Sequence, residues 1–395
     1  MTEMTFATLI SQENKKDPHA FYAHLRATEP IFYVQDLNTW IVTTYEDALL
    51  VLRDPRFTKD NRKIVPSEKG LNPMDETAAQ MMRNMLMVDA PDHTRLRSLV
   101  SKAFTPRMIE QLRPRIQQIA DELLDAVQDR GQMDLIADFA YPLPLTVILE
   151  MLGIPSDERQ QFRTWTQAIV NVEDPQFRVT SLQAFLGYIK TLVDKKRRYP
   201  EKDLVSSLAQ VEENGDQLNE NELISMIFLL IVAGHETTVN LLGNGTLALL
   251  QHQDQFQLLR REPALIPEAV EELLRYTAPV SLSDERWASE DIILHGQLIH
   301  KGDMVLAALI SANADPHHIA DGDTLDVTRH EKQHLAFGKG IHYCLGAPLA
   351  RLEGQIAFAT LLKRLPELRL ADNAAKLTWV NNPMLRGLTS LPVLF

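Results

Sequence analysis

The 395-residue chain contains one cysteine. A single thiol excludes an internal disulfide, cannot hold an iron–sulfur cluster and fits a reducing compartment. Long apolar runs are also missing. The most apolar stretch, Ile224 to Ala233, is shorter than the roughly 20 residues that a bilayer span requires. The start of the chain is polar and charged from Ser11 onward and lacks the apolar core of a signal peptide. These absences lead us to expect a cytoplasmic protein with no membrane anchor. Positive charge is in deficit, with 40 Lys and Arg against 53 Asp and Glu and a net charge of −13, which argues against a nucleic-acid partner. No internal repeat, low-complexity block or compositional break marks a linker. Length alone suggests two or three domains, but we expect one domain over residues 1–395.

Helical periodicity dominates what is present. Pro18 to Ala27 reads as a helix with Phe21, Tyr22 and Leu25 inward, and Tyr45 to Arg53 as another, closed by Asp54-Pro55. Ile31 to Val34 and Trp40 to Thr43 read as strands. Residues 58 to 80 are polar and punctuated by Pro and Gly, so they read as a long loop of the kind that often carries function. Thr94 to Phe104 and Arg107 to Asp129 read as helices broken at Thr105-Pro106. A long helix runs from Asn219 to about His252, with Asn219 and Glu222 spaced as a capping box. Ile266 to Tyr276 is amphipathic. Beyond Pro279 come strand and turn signals at Ile292 to Leu294, His295-Gly296, Leu298-Ile299, Lys301-Gly302 and Met304 to Leu309. The expected class is mainly α with a small β region.

The cysteine is Cys344, set in Phe337-Gly338-Lys339-Gly340-Ile341-His342-Tyr343-Cys344-Leu345-Gly346, with an apolar helical stretch behind it from Ala347 to Leu362. A lone cysteine is usually an inert small hydrophobe. A glycine-rich loop ahead of a helix start, whose dipole end is positive, instead favours the thiolate. A thiolate with no second cysteine suits an axial metal ligand, and haem iron fits best. A dinucleotide fingerprint fails because Tyr343 stands where a third glycine is needed. The long helix carries Ala233-Gly234-His235-Glu236-Thr237-Thr238. A mid-helix glycine costs up to about 1 kcal/mol relative to alanine, so it invites a functional reason, here a local gap for small molecules. A zinc-protease reading fails because position 239 is valine. Glu272 and Arg275 share a helix face at i, i+3; alone, they read as an ordinary ion pair. His93 and Arg97, at i, i+4, point two donors the same way.

These four segments, in this order, resemble the cytochrome P450 superfamily, and most closely the soluble bacterial members that oxidise polyketides and fatty acyl chains. The resemblance covers the whole chain and implies the P450 fold, with haem between a long central helix and the cysteine loop and its helix. It implies haem b with its iron ligated by Cys344, in a loop that includes Phe337, Gly338, His342 and Gly346. It implies propionate contacts from His93, Arg97, Arg286 and His342, with Ala233 and Gly234 over the ring. Glu236 and Thr237 match the family's acid–alcohol pair, which delivers protons during oxygen activation. Glu272, Arg275 and Arg329 match a buried structural triad. Two positions depart from the family pattern: Asn313-Ala314-Asp315-Pro316 lacks the usual arginine, and Trp287 replaces a small aliphatic residue.

The implied activity is a monooxygenase that hydroxylates or epoxidises a medium-to-large hydrophobic small molecule with O2 and two electrons. The electrons come from a separate ferredoxin or flavodoxin with its NAD(P)H reductase, because the chain has no flavin or iron–sulfur segment of its own. Lys102, Arg107, Arg113 and Lys339 are candidate docking contacts on the cysteine side. The expected pocket wall includes Met81, Met82, Met85, Met87, Leu229, Leu230, Val280, Ser283, Met384 and Leu385. The methionines would form an adaptable lid. We expect a monomer. A peroxide-driven peroxygenase and a non-catalytic haem sensor are the alternatives, and retention of Glu236 and Thr237 argues against both.

Overall fold

Ile31–Val34 and Thr39–Val42 pair antiparallel, with Phe32 opposite Ile41. The computed structural model describes residues 4–64, 83–170, 175–213, 215–330, 333–371 and 377–395. It extends this pair into a five-stranded sheet in the order Ile31–Val34, Thr39–Val42, Met304–Ala307, Arg286–Ala288, Phe57–Thr58. Both faces are covered. Ile31, Val42, Val305 and Ala307 bury one way, while Phe32, Val34, Ile41 and Leu306 bury the other. Strands covered on two sides read as continuous apolar runs, as these do. The hairpin Ile292–Leu294 to Gln297–Ile299 turns at His295 and Gly296, both at positive φ (48° and 78°), which is the two-residue turn that matches strand twist.

Contacts gather the chain into two compact units, each built from non-consecutive stretches. The first comprises residues 1–58, 113–143 and 237–395 and holds the five-stranded sheet; the second comprises 59–112 and 144–236. In the second, Phe162, Trp165, Phe185 and Phe228 form an aromatic chain with neighbouring centroids 5.3–5.4 Å apart. The chain is mainly helical with small sheets, as expected.

The helix Glu220–Gln251 begins with the expected capping box. Glu222 N–H donates to Asn219 Oδ1 at 3.0 Å, and Asn219 N–H donates to Glu222 Oε2 at 2.9 Å. By length and composition it could cross a membrane, but residues 223–228 and 238–250 are buried in the protein, the mark of a core helix. Helices Pro18–Thr28, Tyr45–Arg53, Asp92–Ala103 and Ile266–Thr277 form close to their expected bounds. One expectation needs correction. The single helix over 107–129 is two, Pro106–Gln111 and Arg113–Asp125, separated at Leu112. Pro114, which lacks a backbone N–H, suits the first turn of a helix and not its interior.

In the first unit, Glu272 and Arg275 are buried. Arg275 Nε and Nη2 each donate to the Glu272 carboxylate at 2.7 Å, and Arg329 Nε reaches Glu272 Oε1 at 3.4 Å. Arg275 also donates to the Asn313, Gly322 and Thr324 carbonyls. Beside the departure at Ala314, Arg26 donates to the Ser311 and Ala314 carbonyls at 2.9 and 3.2 Å. Removing one member of a buried pair strands the other. Arg275→Met should therefore lower the unfolding free energy by about 3–5 kcal/mol, read from urea denaturation. A loss under about 1 kcal/mol would mean that Arg329 alone neutralises Glu272.

Candidate active site

The cysteine loop is folded by its own backbone. Gly338 N–H donates to Leu335 O at 2.8 Å, Tyr343 N–H to Gly340 O at 3.2 Å and Cys344 N–H to Phe337 O at 2.9 Å. Gly338 sits at φ 69° with open space around a Cβ, so glycine is needed there for its backbone angle and not for crowding. Gly340, at φ 77°, is needed for both reasons, because a Cβ would lie 2.9 Å from the Leu52 carbonyl oxygen. Gly346 caps the 18-residue helix Ala347–Arg364, and Cys344 is exposed just ahead of that positive end, where the thiolate is favoured. Arg286, on the strand Arg286–Ala288, is buried, and His342 is half-buried.

On the long helix residues 229–237 are less covered than residues 223–228 and 238–250, and only Ile231 and His235 among them are buried. Leu229 and Leu230 are half-buried, Ala233 is exposed, and Glu236 and Thr237 are half-buried. These positions follow helical spacing and share one side. The helix runs unbroken through Gly234, whose Cβ would meet only Ile148, at 3.5 Å. The expected gap is therefore not a break in the helix. His93 is buried and Arg97 half-buried on the helix Asp92–Ala103.

The family profile described as Cytochrome P450 matches residues 183–373. "Cytochrome P450 CYP107DY1" of Priestia megaterium is 49% identical over 100% of both chains. The chain belongs to the cytochrome P450s. "Polyketide biosynthesis cytochrome P450 PksS" of Bacillus subtilis is 46% identical over 97% of this chain and 96% of its own. The solved structure of that protein superposes with a TM-score of 0.92 at 44% identity, covering 98% of each chain. A myxobacterial P450, CYP267B1, in complex with myristic acid, superposes at 0.91 with 44% identity and 99% coverage of each.

This P450 is a haem-thiolate monooxygenase, an oxidoreductase whose family holds haem iron through a cysteine thiolate. The residues present fit that group. The chain's one thiol is exposed at a helix start. Arg286 is a buried guanidinium in the same unit, suited to bidentate contact with a carboxylate.

The other expected positions lie in both units. Met85, in the short turn Met85–Met87, is buried and Met87 is exposed; Met81 and Met82 lie outside the described residues. Val280 bridges Leu385, and Ser281 N–H donates to Met384 O at 2.7 Å, so the two expected wall segments of the first unit do come together. Ser283 is buried with its hydroxyl engaged by backbone: it donates to Asp284 O at 3.1 Å and accepts from Ala307 N–H at 2.9 Å.

Two residues escaped the sequence reading. His235 is fully buried, with Nδ1 2.6 Å from the Ile231 carbonyl and Nε2 3.3 Å from Glu236 Oε1. The bond from Nδ1 to the Ile231 carbonyl fixes the ring on its own helix, with Nε2 on the Glu236 side. Glu353, on the cysteine helix, is also buried. Burial pushes its carboxyl up to about 8, partly offset by the Thr238 hydroxyl. An isolated carboxyl in an apolar helical stretch was the available signal.

At neutral pH the folded protein therefore keeps a proton on Glu353 that the unfolded chain releases. The folded value lies above the unfolded one, so stability falls as pH rises from about 4.5 to about 8. Glu353→Gln should flatten the profile of melting temperature against pH in that window. It should also stabilise the protein at pH 8 by on the order of 2 kcal/mol. Parallel profiles for the two proteins would mean that Glu353 is ionised in the folded state.

Proposed function

We propose that this P450 hydroxylates or epoxidises a medium-to-large hydrophobic small molecule of the fatty acyl, polyketide, terpenoid or steroid kind. The less-covered stretch 229–237 of a mostly buried helix carries this reading, because one side of it sets apolar Leu229, Leu230 and Ala233 beside the polar pair Glu236 and Thr237. An apolar wall with few polar groups is what binds such ligands and excludes water. The relatives support it in kind: one is named for polyketide biosynthesis, another is a vitamin D(3) 25-hydroxylase, and a structural neighbour holds myristic acid.

When bound, haem supplies the one-electron iron chemistry that activates dioxygen. The chain's own residues do the rest. Cys344 ligates the iron as thiolate. Arg286 and His342, with His93 and Arg97, hold the propionates, and Phe337, Gly338 and Gly346 shape the loop. The Thr237 hydroxyl would hold and pass a proton at the reacting face, and Glu236 would refill it. Leu229, Leu230, Val280, Met384, Leu385, Met85 and Met87 keep water out and position the substrate. Residues 1–395 act as one domain, a cytoplasmic monomer. Electrons arrive from a separate ferredoxin or flavodoxin with its NAD(P)H reductase, docking at Lys339, Lys102, Arg107 and Arg113, all exposed.

Titration with a library of long-chain acids, macrolactones and sterols should convert the Soret band from low to high spin with the hydrophobic members. A shift seen only with small polar compounds would overturn the substrate class. Thr237→Ala should still consume NAD(P)H with a surrogate redox pair, but product per NAD(P)H should fall about 10-fold or more, with hydrogen peroxide appearing instead. Unchanged coupling would remove Thr237 from proton delivery, and equal turnover of the unmodified protein with peroxide alone would favour the peroxygenase reading.

A further inference from the structure

Glu271 and Glu272 are neighbours on the helix Ile266–Thr277 and therefore point about 100° apart. Glu272 serves the buried triad. Glu271 turns to the cysteine helix and meets Arg351 in a two-pronged pair, Nε to Oε1 at 2.7 Å and Nη2 to Oε2 at 2.8 Å. Such forked pairs fix orientation as well as charge. The remaining edge of Arg351 donates from Nη1 to the Tyr343 hydroxyl at 3.2 Å, and its guanidinium carbon lies 4.6 Å from the centre of the Phe337 ring. His334 completes the cluster. Its Nδ1 accepts from Ala336 N–H at 3.2 Å, so Nε2 carries the proton and donates to Glu271 Oε2 at 3.3 Å.

Arg351 thus grips both residues that bracket the thiol: Tyr343, its chain neighbour, and Phe337, whose carbonyl accepts the Cys344 N–H. Burial by itself would raise the Glu271 carboxyl; the Arg351 and His334 hydrogen bonds override that and hold it at about 2. The pair is therefore ionised and charge-compensated throughout the physiological range.

We propose that Glu271 and Arg351 are positioning residues that act as a balanced electrostatic clamp on the cysteine loop and set the reduction potential of the thiolate-ligated haem. Reduction adds one negative charge. A lone cation beside the loop favours that charge and a lone anion opposes it, while the pair together largely cancels. The side chains are only partly exposed, 14% for Glu271 and 31% for Arg351, so solvent screens their charges incompletely. This inference rests on haem ligation through Cys344.

The test is a redox titration of the haem-loaded protein. Glu271→Gln leaves Arg351 uncompensated and should raise the midpoint potential; Arg351→Gln leaves Glu271 uncompensated and should lower it. Each shift should be threefold to tenfold in the ferric–ferrous equilibrium, where tenfold is about 59 mV for a one-electron couple. The double variant should return most of the way to the parent value, and Arg351→Lys, which keeps the charge, should stay near it. Shifts of the same sign in both single variants, or no shift in either, would overturn the proposal in favour of a purely mechanical role. If a single variant fails to hold haem, the double variant and Arg351→Lys decide: a potential far from the parent in both, in the same direction, also overturns it. The carbon monoxide band of the unmodified reduced protein tests Cys344 ligation separately. Its absence at the red-shifted thiolate position would sink that reading and not the clamp alone.

Discussion

Arg275 has five N–H donors, and the fold uses all of them. Two go to the Glu272 carboxylate and three to the carbonyls of Asn313, Gly322 and Thr324. The guanidinium is 2% exposed, so each bond forms away from water and none can be replaced by it. One side chain thereby ties a helix to an irregular segment that has little secondary structure of its own. That segment in turn positions the start of the cysteine loop. Asn313 Oδ1 accepts the Leu335 N–H at 2.7 Å, and the Leu335 carbonyl accepts the Gly338 N–H at the loop's first turn. The geometry around Cys344 is thus inherited, through a few hydrogen bonds, from a buried ion pair.

Four carboxyls show how environment separates one chemistry into several tasks. Glu272 is buried and fully paired, and its task is architectural. Glu271, one residue away, meets a different helix and braces the loop around the thiol. Glu353 is buried beside a hydroxyl and keeps its proton. Glu236 is half-buried beside a histidine anchored on the backbone of its own helix. Burial pushes Glu271 and Glu353 the same way, and Glu271 alone of the two is held down, because tertiary packing brings Arg351 and His334 to it.

The long helix joins these themes. Its length, about 48 Å at 1.5 Å per residue, and its apolar composition would suit a membrane, yet burial along most of its surface makes it a core element. The less-covered stretch 229–237 is consequently informative, since contiguous uncovered apolar surface marks places where something binds.

The sequence by itself determined whatever depends on short-range chemistry. A capping box at Asn219, glycines at the positive-φ positions 338 and 340, a two-residue hairpin turn at His295-Gly296 and a lone cysteine ahead of a helix were all legible, because each requires particular residue types at fixed spacing. The pairing of Glu272 with Arg275 was legible as helical spacing, and Arg329 followed from the family pattern. Tertiary structure alone decided the rest. The engagement of Ser283 with the backbone, the proton on Glu353, the anchoring of His235 and the pairing of Glu271 with Arg351 across 80 residues depend on which surfaces meet. The break at Leu112 is encoded in Pro114, but apolar periodicity continues through it and masks the signal. Local spacing constrains a residue's direction, but its charge state and partner are set by neighbours that only the folded chain brings close.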